Sequence, residues 1–223
     1  MAIQPQAILF DLDNTLTNRR ASIISFARQF DEDFRSRYQT TQISKIESIM
    51  HDADDGGYRP LDERWQILQE RIQWIDTPST DELRNYWYTQ LGHCAVGVDG
   101  LHNTLSKLRD KGITLGIITN GPTGLQNLTI DTLHLRPYMD CVIVSETVGI
   151  KKPHPEIYEL ALAEMNQSAK DVWFVGDNPA TDLLGAHQMN MTTVWIRGHH
   201  SWGNQPFQAN YIVDNISEML PLF

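Results

Sequence analysis

Short apolar runs recur along this chain, and each stops at a polar turn. Ala7-Ile8-Leu9-Phe10 runs into Asp11-Leu12-Asp13-Asn14-Thr15, residues 113–118 into Thr119-Asn120-Gly121, and Cys141-Val142-Ile143-Val144 into Ser145-Glu146. Residues 172–175 stop at Gly176-Asp177, residues 192–196 at Arg197-Gly198, and Tyr211-Ile212-Val213 forms a last, shorter run. Unbroken apolar runs of this length predict strands buried on both faces, whereas a half-solvated strand would alternate.

Between the runs the period becomes helical. Leu101, Leu105 and Leu108 share a face ahead of a stop at Gly112. Ile157, Leu160, Ala161 and Met165 repeat the pattern after Pro155, and Pro179 opens a helix carrying Leu183, Leu184 and Ala186. This alternation predicts an α/β fold, a Rossmann-like parallel sheet with helices on both faces. Residues 17–93 break the rhythm with helical stretches at 22–38, 43–50, 61–75 and 80–93 and no strand candidate. Trp65, Leu68, Ile72 and Ile75 form an apolar stripe there, with turns at Asp54-Asp55-Gly56-Gly57 and Thr77-Pro78-Ser79. The expected organisation is an α/β core from 1–16 and 94–223, with 17–93 inserted after the first strand as an α-helical domain.

Composition narrows the partners. The 223 residues, 41% hydrophobic and 21% charged, suit a folded chain with a substantial core. A formal net charge of −10 argues against a nucleic-acid polymer, which needs a basic stripe, and against an anionic membrane surface. Cys94 and Cys141 have neither a disulfide framework nor zinc spacing, and read as small buried hydrophobes. No apolar stretch approaches the ~20 residues of a membrane span. Met1-Ala2-Ile3-Gln4-Pro5 lacks a signal-peptide pattern, so a cytoplasmic protein is expected; the sequence does not choose between a monomer and a homodimer.

In a parallel sheet, ligands bind beyond the carboxyl ends of the strands, so the polar strand ends should gather. Asp11 and Asp13 can point the same way from an extended segment, and their repulsion calls for a cation or a held proton. Thr119-Asn120-Gly121 offers a hydroxyl, an amide and a glycine N–H ahead of a helix, donors suited to phosphate. Lys151-Lys152-Pro153-His154-Pro155 holds a lysine in a stiff frame, and the segment from Gly176 to Asp182 adds Asp177 and Asp182. An attacking carboxylate and a phosphate dianion repel each other. Mg²⁺ held by Asp11 and Asp177 would screen that repulsion while lysine and Thr119 hold the transferring oxygens.

In this order the four elements resemble the haloacid dehalogenase superfamily over essentially the whole chain. Asp11, Asp13 and Thr15 match its Asp-x-Asp-x-Thr, and Thr119 its strand-end hydroxyl. Lys152 matches its lysine before proline, within Gly149 to Pro155, and Gly176, Asp177 and Asp182 match Gly-Asp-x-x-x-x-Asp. The resemblance implies a Mg²⁺-dependent phosphatase that hydrolyses a small-molecule phosphate monoester through an aspartyl-phosphate. Asp11 would be nucleophile and metal ligand; Asp13 would be general acid and then base, its backbone carbonyl also on the metal. Asp177 would be the remaining carboxylate ligand, and Thr119 and Lys152 the catalytic phosphate holders. Thr15, Asn120 and Gly121 would bind substrate, and Asp182 would support the site through Lys152. The inserted domain would be a cap that selects substrate, with pyrimidine 5′-nucleotidases and phosphoglycolate phosphatases as equal precedents. Asp13 argues against a 2-haloacid dehalogenase, whose chemistry needs neither that residue nor Mg²⁺. A phosphomutase shares the catalytic pair, and the intact motifs rank a non-catalytic binding protein last.

Other features carry plainer expectations. His51-Asp52-Ala53-Asp54-Asp55 lacks the terminal Glu of a calcium loop and reads as a solvated cap loop. His199-His200 reads as an exposed pair, Lys151 as solvent-facing, and Trp65, Trp74 and Trp87 as cap packing. Arg19 and Arg20 stand where such caps often contact substrate, and the sequence does not decide whether they do.

Overall fold

Each residue of β1, Ala7–Phe10, is fully buried, as an apolar run without alternation requires. The computed structural model describes residues 4–39 and 41–222. In it β1 lies inside a parallel sheet with β2 (Thr114–Thr119), β3 (Cys141–Val144), β4 (Val172–Gly176), β5 (Thr192–Ile196) and β6 (Tyr211–Val213). The strand order is β3-β2-β1-β4-β5-β6. Alternate β1 residues enter different cores. Ile8 and Phe10 pack with Leu105, Leu108, Ile130 and Val175 on one face, while Ala7 and Leu9 pack with Ile157, Ala161, Phe174 and Leu183 on the other.

The inserted segment forms α1 (Arg19–Phe34), α2 (Ile43–Asp54), α3 (Leu61–Arg71) and α4 (Thr80–Gln90). They close around Phe26, Phe30, Ile49, Trp65, Leu68 and Trp87, and Leu125 from the core joins that cluster. The two connecting segments run side by side: the Asn18 N–H donates to the Val96 carbonyl at 2.7 Å and the Val98 N–H to Leu16 at 3.1 Å. The remaining helices belong to the core: α5 (Leu101–Asp110), α6 (Thr123–Thr132), α7 (Ser145–Val148) and α8 (Pro155–Glu164). After β4 a π-helical turn, Pro179–Leu183, leads into α9 (Leu184–Gln188). No described helix is long and apolar enough to cross a membrane.

Several local expectations need correction. The first cap helix starts at Arg19 rather than Ser22, because the Asn18 side chain caps it by accepting from the Ala21 N–H at 3.0 Å. Ile75 does not belong to the apolar stripe. Its helix stops at Arg71, Ile72 turns extended, and Ile75 is 71% exposed. Leu160 is exposed too, its place on the buried face of α8 being taken by Tyr158 and Leu162. His51 to Asp54 is the last turn of α2 rather than a solvated loop, and Asp54 is buried. Trp65 and Trp87 are buried and pack edge-to-face, and the Trp74 ring N–H donates to the Leu68 carbonyl, so all three serve the cap interior.

Candidate active site

The carboxyl ends of β1, β2 and β4 bring Asp11, Thr119 and Asp177 to one edge of the sheet, as parallel pairing in register dictates. Lys152 reaches the same point from the loop ahead of α8. It is 2% exposed, and its Nζ lies 2.6 Å from Asp11 Oδ1 and 2.8 Å from Asp182 Oδ1. Lys151 is exposed.

Asp182 arrives through a close approach. A Cβ on Gly176 would come within 2.6 Å of the Asp182 side chain, so only glycine lets the two meet. Asp182 Oδ2 also accepts the Asn178 N–H at 3.1 Å.

One lysine faces several buried carboxylates, and the charge is unbalanced. Burial pushes the Asp11 carboxyl up to about 7, with Lys152 opposing and Asp182 adding to the rise. Burial, then Asp11 and Asp182, push Asp177 up to about 9. Burial works against the Lys152 charge, yet Asp11 and Asp182 outweigh it and hold the ammonium above its ordinary range.

Asp11, Asp177 and Asp182 each present an oxygen within 4.8 Å of the others. Asp177 Oδ1 is buried with no hydrogen-bond partner. An orphaned carboxylate oxygen beside two more carboxylates fits a divalent cation, which supplies the missing charge and coordination. The sequence reading names Asp11 and Asp177 through their carboxylates and Asp13 through its backbone carbonyl. The Asp13 carboxylate is held by Arg19 and Gln126, and Asp182 joins Asp11 and Asp177 in the carboxylate trio.

The sites expected to bind phosphate are differently disposed. Thr119 is buried and its Oγ1 accepts from Gln126 Nε2 at 2.5 Å, leaving its own proton to donate. The Asn120 side chain is committed to Lys152, donating to its carbonyl at 3.1 Å and accepting its N–H at 2.9 Å. The Gly121 N–H donates to Ser145 Oγ at 3.0 Å. Asn120 and Gly121 therefore brace the loop after β2 against Lys152 and Ser145 through these groups. Thr15 is buried, and its hydroxyl has no hydrogen-bond partner.

Above these groups lies a cavity of about 420 Å³. Its floor carries Asp11, Asp13, Lys152 and Asp177; its cap wall carries Arg19, Gly57, Tyr58, Arg64 and Tyr88. Gly56 and Gly57, both at positive φ, reverse the chain after α2 and deliver Tyr58 to the core. The Tyr58 hydroxyl lies 3.5 Å from Asp177 Oδ2, and its ring meets His200 edge-on at 4.2 Å. His200 is thus half of a contact over the site rather than an exposed residue, with its Nε2 3.8 Å from Asp177. Burial lowers its affinity for a proton.

Asp54, Tyr58, Arg64, Gln126 and His200 escaped the sequence reading. Only Gln126 left a usable signal, a polar residue in the first turn of the helix that follows the Thr119 loop.

Residues 8–196 match the model of the haloacid dehalogenase-like hydrolases. The chain is 26% identical over 223 residues to the pyrimidine 5′-nucleotidase YjjG of Escherichia coli, covering 95% of each chain. It is 35% identical over 203 residues to the glyceraldehyde 3-phosphate phosphatase of Pyrococcus abyssi, covering 86% of this chain and 81% of the other. Among solved structures, the magnesium-bound HAD-hydrolase YfnB from Bacillus subtilis superposes with a TM-score of 0.75 at 20% identity, over 99% of both chains.

Proposed function

This chain belongs to the haloacid dehalogenase-like hydrolases, and from that premise we propose that it is a Mg²⁺-dependent phosphatase of small phosphate monoesters. One observation carries the reading. Asp11, Lys152, Asp177 and Asp182 converge on the floor of a closed-over cavity in which Asp13 is also presented. Asp11 attacks phosphorus, and the bond from phosphorus to the leaving oxygen breaks with its electron pair. Asp13 gives that oxygen a proton. A water then loses a proton to Asp13 and attacks phosphorus, the bond to Asp11 breaks, and phosphate departs with both carboxyl groups restored. Lys152 and Thr119 hold the transferring oxygens. Asp11 and Asp177, with the Asp13 carbonyl, would hold Mg²⁺, and Asp182 keeps Lys152 in place. An all-oxygen donor set suits this hard cation, which supplies positive charge that lets phosphate approach a carboxylate.

The cap wall favours a leaving group without a second charge. Arg19 is taken up by Asp13 and Asp54, and Arg64 donates to the Gly57 carbonyl at 2.7 Å and the Arg59 carbonyl at 3.2 Å. What the wall offers beyond them is the phenol rings of Tyr58 and Tyr88. On the cap side that inventory suits a neutral, hydroxylated group such as a nucleoside better than the carboxylate of phosphoglycolate, while the core side of the cavity adds Lys151.

Phosphate release measured over nucleotides, sugar phosphates and phosphoglycolate, with and without Mg²⁺, tests the reading. Turnover should need the metal, favour nucleoside monophosphates over phosphoglycolate, and vanish in Asp11→Asn. Turnover retained by that variant would exclude Asp11 as nucleophile.

A further inference from the structure

A carboxylate at 1% exposure is an expensive thing to place at the end of a cap helix, and Asp54 is such a group. It holds one face of the Arg19 guanidinium in a fork, accepting from Nε at 3.0 Å and from Nη2 at 2.7 Å. Because the guanidinium is planar and rigid, fixing two of its nitrogens fixes the direction of the third. That third nitrogen, Nη1, donates to Asp13 Oδ1 at 2.7 Å. Arg64 backs the arrangement from behind, 3.7 Å from Asp54 Oδ1, and its bonds to the Gly57 and Arg59 carbonyls tie it to the loop that carries Tyr58. On the other side Gln126 Nε2 donates to Asp13 Oδ2 at 3.0 Å. The two oxygens of Asp13 are therefore held from different bodies of the molecule, one by the cap and one by the core.

A buried charged network of this kind adds little stability over well-packed apolar residues. What it adds here is direction. We propose that Asp54 and Arg19 form a positioning relay, carried by the cap, that sets the orientation of the Asp13 side chain and so completes the acid geometry only when the cap is seated. The proposal rests on the reading of Asp13 as the proton donor to the leaving group. Arg19 then touches Asp13 alone among the reacting groups, and Asp54 acts through Arg19.

Leaving-group chemistry isolates this role. An alkoxide needs a proton as it departs; p-nitrophenolate does not. The test is single-turnover phosphorylation of Asp11 by rapid quench, with p-nitrophenyl phosphate and with a nucleoside 5′-monophosphate, in the Mg²⁺-loaded full chain. Asp54→Asn keeps the volume and loses the charged fork; Arg19→Lys keeps the charge and loses the planar geometry. With either variant the nucleotide reaction should slow by about tenfold or more, while the p-nitrophenyl reaction stays within about threefold of wild type. Thermal melting identifies which variants fold, and one folded variant suffices. Equal loss on both substrates, no loss on either, or failure of both variants to fold would overturn the relay. A wild-type chain inactive on both substrates would instead overturn the phosphatase reading on which the relay stands.

Discussion

Lys152→Met removes the cation that lies between two buried carboxylates while keeping a side chain of similar length. Asp11 Oδ1 and Asp182 Oδ1 lie 2.6 and 2.8 Å from the ammonium, and both side chains are under a tenth exposed. Breaking a buried pair by deleting one partner costs about 3–5 kcal/mol, because the charge left behind is uncompensated. For a chain of this size that corresponds to a fall in Tm of roughly 6–20 °C. The proper assay is thermal unfolding in EDTA, with activity followed in parallel. Two controls separate the electrostatic cause from lost packing. Saturating Mg²⁺ should restore part of the loss, since a ligand at a hundred times its Kd contributes about 2.7 kcal/mol. Lys152→Met combined with Asp182→Asn should lie above the single variant in Tm, because one of the stranded charges has gone. A single variant within about 2 °C of wild type in EDTA, or a double variant that melts lower still, would refute the reasoning.

Two further outcomes follow from the same site. The native, metal-free protein holds protons on Asp11 (up to about 7) and Asp177 (up to about 9) that the unfolded chain releases near the ordinary aspartate value. The native state then binds more protons across that window, so metal-free stability falls as pH rises from about 4 to 9, and the Mg²⁺-induced gain in Tm should widen from pH 6 to 9; a gain independent of pH would contradict this. Gly176→Ala places a methyl within 2.6 Å of the Asp182 side chain, whose own Cβ must move. A loss of about 1–3 kcal/mol is expected, with weaker turnover as Asp182 is pushed from Lys152, and an unchanged Tm with full activity would show that the loop yields without cost.

The parts of the fold and site that could be seen in the sequence are those imposed by local rules. An apolar run with no alternation must be covered on both faces, so β1 and its neighbours could be placed within a residue or so. Asp11 and Asp177 are strand ends, and in a parallel sheet strand ends share an edge. Chain order alone therefore pointed to their meeting, although no such rule brings in Lys152 across 141 residues of separation from Asp11; there the motif resemblance carried the assignment.

What stayed hidden depends on tertiary placement. Asp54 sits in a run of acidic residues ahead of two glycines, a composition that reads as a solvated turn, and nothing local distinguishes it from exposed Asp55. Its burial is decided by Arg19, 35 residues away, and by Arg64 on another helix. The sequence marks Arg19 as a cap residue near the first motif, but its partner follows only from α1 starting at Arg19, with Asn18 as its cap, three residues earlier than the apolar pattern suggests. That shift puts the guanidinium in the first turn, beside the polar segment that follows β1 rather than out along the cap. Asn120 and Gly121 show the converse limit. Their residue types announce donors, from which the sequence reading expects a phosphate loop, but their hydrogen bonds to Lys152 and Ser145 exist only because β2 and β3 are neighbours with a common register. A residue's type thus records the chemistry it can perform, and which partner receives it is settled by pairing that lies far away in the chain. The cap contributes to the site through such distant pairing, which is why its role could be expected as a block while Asp54, Arg64 and Tyr58 could not be singled out within it.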